Sequence, residues 1–485
     1  MRLSVVLHYA ALLLVGIGLC MFLPLGFSLA HGDSDAFAFG ISLVATAGTG
    51  LLLYMVTPGA KGITITRREA LAFVTLSYIL ASVFGALPYQ LYGTFPNFLD
   101  CFFESISGFT TTGASVLTSI EGEPHGILLW RSFTQWLGGM GIIVLFVALF
   151  PLLGMGTAYL FEAEAPGPEV HRLKTHIRDT SRTIWILYVG LSAVELALLV
   201  LVGQMSIFDS LCHTFSTMST GGFSPRDLSV GAYDSWVVNA IIICFMFMGG
   251  ISFALYYALL WRRSLRTLLA NTEFRLYTFL IVVGAFLIAV DLVMNASYSI
   301  SKAAEEAAFN GVSVQTTTGF AISDYDKWPA FSRIALVALM VIGGSAGSTA
   351  GGLKVVRAVV LFKYAFRQVL MAFNPRAIIP LRMEGKVMPE RIMSRIIGFT
   401  VLYLAFGFIG TLIIATLEGD TTTAVSSVIA CISNIGPGLG VIGPAENYSV
   451  ISAPGKVVLM ICMLVGRLEI LTVLALLTPA FWRWR

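Results

Sequence analysis

This sequence predicts an all-α polytopic membrane protein: four pseudo-symmetric helix–pore loop–helix repeats around one pore, plus an N-terminal two-helix hairpin. Three observations carry that prediction. The first is composition, since 57% of the 485 residues are hydrophobic and only 12% are charged, with a mean hydropathy of +0.84, far from the balance of a soluble domain. The second is a series of apolar runs of membrane-crossing length separated by short polar links. The third is a Thr/Gly turn that returns four times between such runs, as Thr110-Thr111-Thr112-Gly113-Ala114, Ser219-Thr220-Gly221-Gly222-Phe223, Gln315-Thr316-Thr317-Thr318-Gly319-Phe320 and Asn434-Ile435-Gly436-Pro437-Gly438.

Composition also narrows the function classes. A net charge of +3, spread over several short loops, gives no basic patch for a nucleic acid. The cysteines (Cys20, Cys101, Cys212, Cys244, Cys431, Cys462) form no CxxC pair and read as free, buried thiols rather than a disulfide framework or zinc site. Nor do His125, His171, His176 and His213 show metal spacing with carboxylates, so a membrane-embedded enzyme is not indicated.

In chain order, residues 1–62 form the hairpin. Its apolar segments, 4–30 and 37–57, each reach the about 20 residues a crossing helix needs and are joined by His31–Asp35. The first is longer than the ~7–15-residue core of a signal peptide, which predicts a retained helix. Lys61, Arg67 and Arg68 follow, and an excess of Lys/Arg in a short loop marks the cytoplasmic side. The N-terminus is then cytoplasmic too.

The four repeats occupy 63–165, 166–268, 269–385 and 386–485. Their flanking spans lie near 69–92 and 126–155, 183–205 and 234–262, 274–297 and 330–370, and 396–417 and 454–482. Between them, 97–112, 206–220, 301–317 and 421–435 are too short to cross. A half-length segment returning through polar backbone is tolerated at membrane depth only where protein or water surrounds it, so each is a re-entrant pore helix ending in a filter strand.

Register supports the repeat. Thirteen residues before Gly113, Gly222, Gly319 and Gly436 stand Asp100, Asp209, Glu306 and Thr423, and nine before stand Glu104, His213, Asn310 and Ser427. Glycines follow at Gly138-Gly139, Gly249-Gly250, Gly343-Gly344 and Gly466, after 25, 27, 24 and 30 residues. Carboxylates at positions 100, 209 and 306 would favour the positive end of a pore-helix dipole. Glu104, Asp209, Glu305 and Glu306 are also candidates for concentrating cations at the mouth. Loops on the opposite side carry Arg172, Lys174, Arg178 and Arg182; Arg262, Arg263, Arg266 and Arg275; and Lys363, Arg367, Arg376, Arg382, Lys386, Arg391 and Arg395, with Arg483 and Arg485 at the end. This charge bias predicts ten spanning helices, four re-entrant loops and both termini in the cytoplasm.

The chemistry follows from the turns. Small hydroxyl residues ending in glycine expose backbone carbonyls, which can replace an ion's hydration shell. The candidate ion ligands are Thr111, Thr112 and Gly113; Thr220, Gly221 and Gly222; Thr317, Thr318 and Gly319; and Asn434, Ile435 and Gly436, stacked in rings at the partly negative ends of four pore helices. Below the third strand, Gly343, Gly344, Ser345, Ala346, Gly347, Ser348, Thr349, Ala350, Gly351 and Gly352 are too glycine-rich and polar to stay helical. They predict a mobile gating loop, followed by Lys354 and Arg357. Arg467, at similar depth in the fourth repeat, can bond the loop's carbonyls as a positive barrier or pair with Glu469; an intramembrane charge is by default functional.

These motifs resemble the potassium-translocating subunit of the Trk/Ktr/HKT family, of the Trk type with an extra N-terminal helix pair. The likeness covers essentially the whole chain and rests on the Thr/Gly strands, on 343–354 and on Gly466-Arg467-Leu468-Glu469-Ile470. It implies K⁺ as the transported ion, a loop closing on Arg467, and a homodimer of two pores in the bacterial inner membrane. It also implies a cytoplasmic, TrkA-like nucleotide-binding regulatory ring, with ATP, ADP or NAD on that partner and none on this chain. Glycine at Gly113 goes with K⁺ rather than Na⁺ in that family. Ser345 and Ala350 depart from its usual Cys and Gly. A K⁺ symporter coupled to H⁺ or Na⁺ is the alternative, disfavoured because the repeats share one orientation and only the third inner helix reads as broken.

Overall fold

The computed structural model describes residues 2–57, 65–141, 177–262, 265–374, 376–377, 379–383 and 386–483. Lys61, Arg172, Lys174, Arg263, Arg485, His171, His176, the 62/63 and 165/166 boundaries and the 142–155 portion of the first repeat's second span lie outside the described residues.

The N-terminal hairpin packs Leu3–Cys20 against Ala36–Val56. Small residues set the approach: a Cβ on Gly18 would stand 2.9 Å from the Cβ of Ala47, and one on Gly50 2.8 Å from the Ala11 carbonyl oxygen. Close backbone contact of this kind replaces the hydrophobic drive that lipid removes. A short continuation, Phe22–His31, completes the first crossing.

Each of the four stretches expected to be a repeat supplies a long outer helix, a short, mostly buried helix (the candidate pore helix) and an inner helix. The outer helices are Arg67–Gly85 (extended by Leu87–Tyr92), Ile177–Leu201, Thr272–Asn295 and Glu390–Glu418. Phe279, Phe286, Val401 and Phe408 point outward from them, exposed, as suits a lipid-facing surface. The pore helices are Phe98–Phe109, Ile207–Met218, Ile300–Gln315 and Thr421–Ile432. Twelve helical residues rise about 18 Å, well short of the ~30 Å hydrocarbon core.

Pore-helix starts are capped by side chains of Asn97, Ser206, Ser299 and Asp420, each accepting from a backbone N–H of the first turn. Asp100 and Asp209 sit in that first turn, where a carboxylate meets the positive helix end. Glu306 does not, contrary to expectation. The third pore helix begins a turn earlier and has 16 residues against 12 in the others, so Glu306 falls mid-helix, 3.7 Å from Lys302.

The inner helices depart most from the ten expected crossings. Among the described residues, six helices, including the hairpin's two, have the length and hydropathy of a span. Two further spans are bent pairs: Trp236–Gly249 with Phe253–Leu259, at 96°, and Ala453–Leu468 with Ile470–Leu477, at 113°. The third inner helix stops at Ile342 and resumes at Val355, and the first ends at Gly139. Among the described residues, breaks therefore occur in the second and fourth inner helices as well as in the third. All six cysteines are unpaired, but Cys244 is exposed and Cys20 only half-buried, against the expectation that all are buried.

Two buried ion pairs hold the first pore helix. Asp100 meets Lys456 of the fourth inner helix at 2.7 Å, and Glu104 meets Arg131 of the first at 2.8 Å. Removing one partner strands a buried charge. Lys456→Met is expected to cost about 3–5 kcal/mol, read as a lower midpoint for loss of monodisperse protein on heating in detergent, with Asp100→Asn/Lys456→Met recovering most of it. An unchanged midpoint in the single variant would show that the pair does not hold this helix.

Candidate ion filter and gate

All four pore helices end in the same way. The residue two before each filter glycine has left-handed backbone: Thr111 (φ 54°), Thr220 (53°), Thr317 (58°) and Asn434 (54°). Its N–H bonds the carbonyl three residues back, and the next N–H bonds the carbonyl five back, at 2.9 and 2.8 Å for Thr111 and Thr112, and 2.9 and 2.8 Å for Thr220 and Gly221. Thr317 and Thr318 repeat this at 3.1 and 2.8 Å, and Asn434 and Ile435 at 3.2 and 2.9 Å. This is the Schellman termination, which glycine normally occupies. Threonine there is strained, since a β-branched residue disfavours positive φ. Such strain persists where the surroundings over-determine it.

The glycines that follow, Gly113, Gly222, Gly319 and Gly436, are also left-handed (φ 80°, 81°, 85° and 97°). Their role is lateral as well as conformational. A Cβ on Gly113 would collide with the carbonyl oxygen of Gly221, one on Gly222 with that of Thr318, and one on Gly319 with that of Ile435. The circle closes at Gly436, whose Cβ would stand 2.8 Å from the Thr112 carbonyl oxygen. Each strand abuts the next, and the last abuts the first, so the twelve sequence-predicted ligand positions come together in one four-sided assembly.

Side chains brace the strands from behind. Gln135 donates from Nε2 to the Gly221 carbonyl at 2.7 Å and accepts the Phe223 N–H at 3.0 Å. Tyr448 donates its hydroxyl to the Gly436 carbonyl at 2.6 Å, and Asn434 Nδ2 donates to Thr112 Oγ1 at 2.9 Å. The Thr110 and Thr112 hydroxyls lie 2.8 Å apart, as do those of Thr316 and Thr318. The carbonyls of Gly221 and Gly436 thus each accept one side-chain donor.

The mouth acids are likewise committed. Glu104 is fully buried, bonded to Arg131, to the Ser115 hydroxyl at 2.9 Å and to the Val116 N–H at 2.9 Å. Asp209 meets Arg226 at 2.8 Å, and Glu305 accepts from Asn239 at 2.9 Å.

Beneath the filter, residues 343–354 form an irregular loop, with positive φ at Gly343, Gly347, Gly352 and Lys354. It is pinned on several sides. The Gly351 N–H donates to Thr317 Oγ1 at 2.6 Å, and a Cβ on Gly351 would strike the Ser433 carbonyl. Ser345 donates its N–H to the Gly250 carbonyl at 3.0 Å, and Gly347 accepts from Phe253 at 3.0 Å. Glu273 accepts the N–H groups of Ala346 (2.7 Å) and Val356 (3.2 Å), and the Gly343 carbonyl accepts from Gln315.

Arg467 reaches across this loop. It donates to the Thr349 carbonyl at 2.9 Å, and also to the carbonyls of Gly138 and, at 2.9 Å, Gly139. One guanidinium therefore joins the fourth repeat to the third and the first. The expected alternative, an Arg467–Glu469 pair, is not what forms: Glu469 pairs with Arg357, whose guanidinium lies 3.8 Å from the Phe399 ring centroid. Lys354 donates to the Ala350 carbonyl. A cavity of about 120 Å³ borders Gly139, Gly351, Lys354, Asn434 and Arg467. Gln135, Arg131 and Glu273 were not singled out in the sequence, because polar residues inside apolar helices show their partners only in three dimensions.

Residues 41–483 match the family described as TrkH, cation transport protein. The Trk system potassium uptake protein TrkH of Salmonella typhimurium is 38% identical over 470 residues, covering 96% of each chain, and that of Halomonas elongata is 36% identical over 486 residues, covering 100% of each. The crystal structure of the potassium transporter TrkH from Vibrio parahaemolyticus matches this fold with a TM-score of 0.89 at 32% identity, over 100% of both chains. With a family match over nearly its whole length and relatives equally long, the chain belongs to the TrkH family of cation transport proteins.

Proposed function

We propose that this chain takes up K⁺ across a bacterial inner membrane through the four-strand filter, with the 343–354 loop as its gate. The observation that carries the reading is the closed circle of glycine against neighbouring carbonyl, which gathers backbone oxygens from all four repeats around one axis. Relatives named as potassium uptake proteins fix the ion in this reading. Uptake is driven by membrane potential, about 2.3 kcal/mol per charge per 100 mV. The filter faces outward and both termini are cytoplasmic, because the described basic residues of the inter-repeat segments, such as Arg182, Arg266, Lys363, Arg367 and Arg395, lie at the ends remote from the pore-helix starts. There a nucleotide-binding regulatory ring engages a homodimer of this chain and biases the gate.

In the gate, the loop withholds Thr317 Oγ1 through the Gly351 N–H, while Arg467 places positive charge on the cation's path. Opening requires Arg467 to release the Thr349 carbonyl and the loop to leave the filter's inner end.

Three measurements test this. In proteoliposomes, the reversal potential is expected to follow the K⁺ gradient alone; a shift with the pH or Na⁺ gradient would replace this reading with coupled symport. Gly113→Ser is expected to admit Na⁺, because its Cβ must displace the Gly221 carbonyl; an unaltered K⁺/Na⁺ permeability ratio would remove Gly113 from the filter. Arg467→Ala is expected to raise basal flux about tenfold or more, since hydrogen bonds from a charged group contribute ~1.5–3 kcal/mol each. Reduced flux from intact protein would make Arg467 a support of the pore instead of its barrier.

A further inference from the structure

We infer that Gln135 is a specificity-determining residue of the filter, acting by fixing the carbonyl against which Gly113 packs. The inference rests on the K⁺-filter reading above and deepens it. Gln135 is fully buried, and its amide is used at both ends: Nε2 donates to the Gly221 carbonyl at 2.7 Å, and Oε1 accepts the Phe223 N–H at 3.0 Å. The second filter strand is thereby clipped on both sides of Gly222. Gly221 must itself lack a side chain, because a Cβ there would lie 2.5 Å from the Gln135 Cδ. One turn earlier on the same helix, Arg131 donates to the Ser224 carbonyl at 3.2 Å, extending the hold along the strand.

Among the described residues this clip has no counterpart in the other repeats. Gln135 stands three residues before Gly138, and the matching positions before Gly249, Gly343 and Gly466 are Met246, Met340 and Met463. The register is structural as well. Gly138 lies against the Phe109 carbonyl and Gly466 against that of Ile432, while a Cβ on Gly249 would stand 3.6 Å from that of Met218; each carbonyl is two residues before the left-handed filter residue. Buried thioethers cannot donate a hydrogen bond. Among the described residues, no side chain donates to the corresponding carbonyls of Thr112, Thr318 or Ile435.

The consequence for selectivity has the same sign in both accounts of K⁺/Na⁺ discrimination. If cavity size decides, the clip stops the Gly221 carbonyl from moving inward around the smaller ion. If ligand field strength decides, the amide donor draws on that oxygen and weakens its pull on Na⁺. Either way the clip acts at the junction of the first and second strands, at the glycine where the chain is expected to discriminate.

The test uses the full-length protein in proteoliposomes under bi-ionic K⁺/Na⁺ conditions. Gln135→Met installs the residue of the other three repeats and is expected to lower the K⁺/Na⁺ permeability ratio about two- to tenfold, the range one net hydrogen bond covers. Gln135→Glu keeps the acceptor for Phe223 but loses the donor to Gly221, and is expected to lower the ratio further. A merely structural side chain would change total flux and leave the ratio alone. Unchanged ratios in both variants, or failure of both to fold, overturn the inference. A wild-type protein without K⁺ preference would instead sink the filter reading on which it stands.

Discussion

The rest of the molecule depends on one contact made four times, a glycine of one filter strand against a carbonyl of the next. Irregular backbone at membrane depth must find its partners inside the protein, and here the strands become each other's walls. The pore helices are short enough to deliver these strands to mid-membrane and are capped at their starts. Their ends turn through strained left-handed threonines, or Asn434 in the fourth repeat. The inner-helix glycines then let Gly138 and Gly466 press against the pore-helix ends, leaving no room for a methyl group.

The charged groups are arranged around this assembly rather than within it. Glu104–Arg131 and Asp100–Lys456 lie at the level of the first pore helix, whereas Arg467, Lys354 and the Arg357–Glu469 pair lie below the filter. The former brace the walls. The latter surround the loop, and Arg467, from the fourth repeat, touches backbone of both the third and the first. Breaks in the second and fourth inner helices give the third-repeat loop its seat: Ser345 bonds the Gly250 carbonyl, and Arg467 lies two residues before the bend at Glu469.

Much of this was legible in the sequence because it recurs. Four Thr/Gly turns in register with polar positions thirteen residues earlier located the pore helices to within a few residues, and ten small residues in a row located the loop. What escaped was pairwise. Arg131 and Lys456 were invisible as partners of Glu104 and Asp100, since nothing in the sequence places residues 27 and 356 positions apart side by side. The bends escaped because long apolar runs flank Gly249–Ser252 and Leu468–Glu469 on both sides, and hydropathy has no sense of direction. Glu306 was misplaced by an extra helical turn, which leaves the count from the filter glycine intact while moving the helix start.

The filter's seam is its most distant junction. Gly436 meets Thr112, Asn434 bonds Thr112 across 322 residues, and Lys456 reaches Asp100 across 356. Contacts of such separation form late, because the intervening chain must first be in place. A chain that has inserted three of its repeats into a membrane therefore holds three filter strands and no closed circle, and it lacks Arg467 as well. The fourth repeat, which follows the other three along the chain, both closes the circle and brings Arg467 to the Thr349 carbonyl, so the ring of strands and the hold on the loop form together.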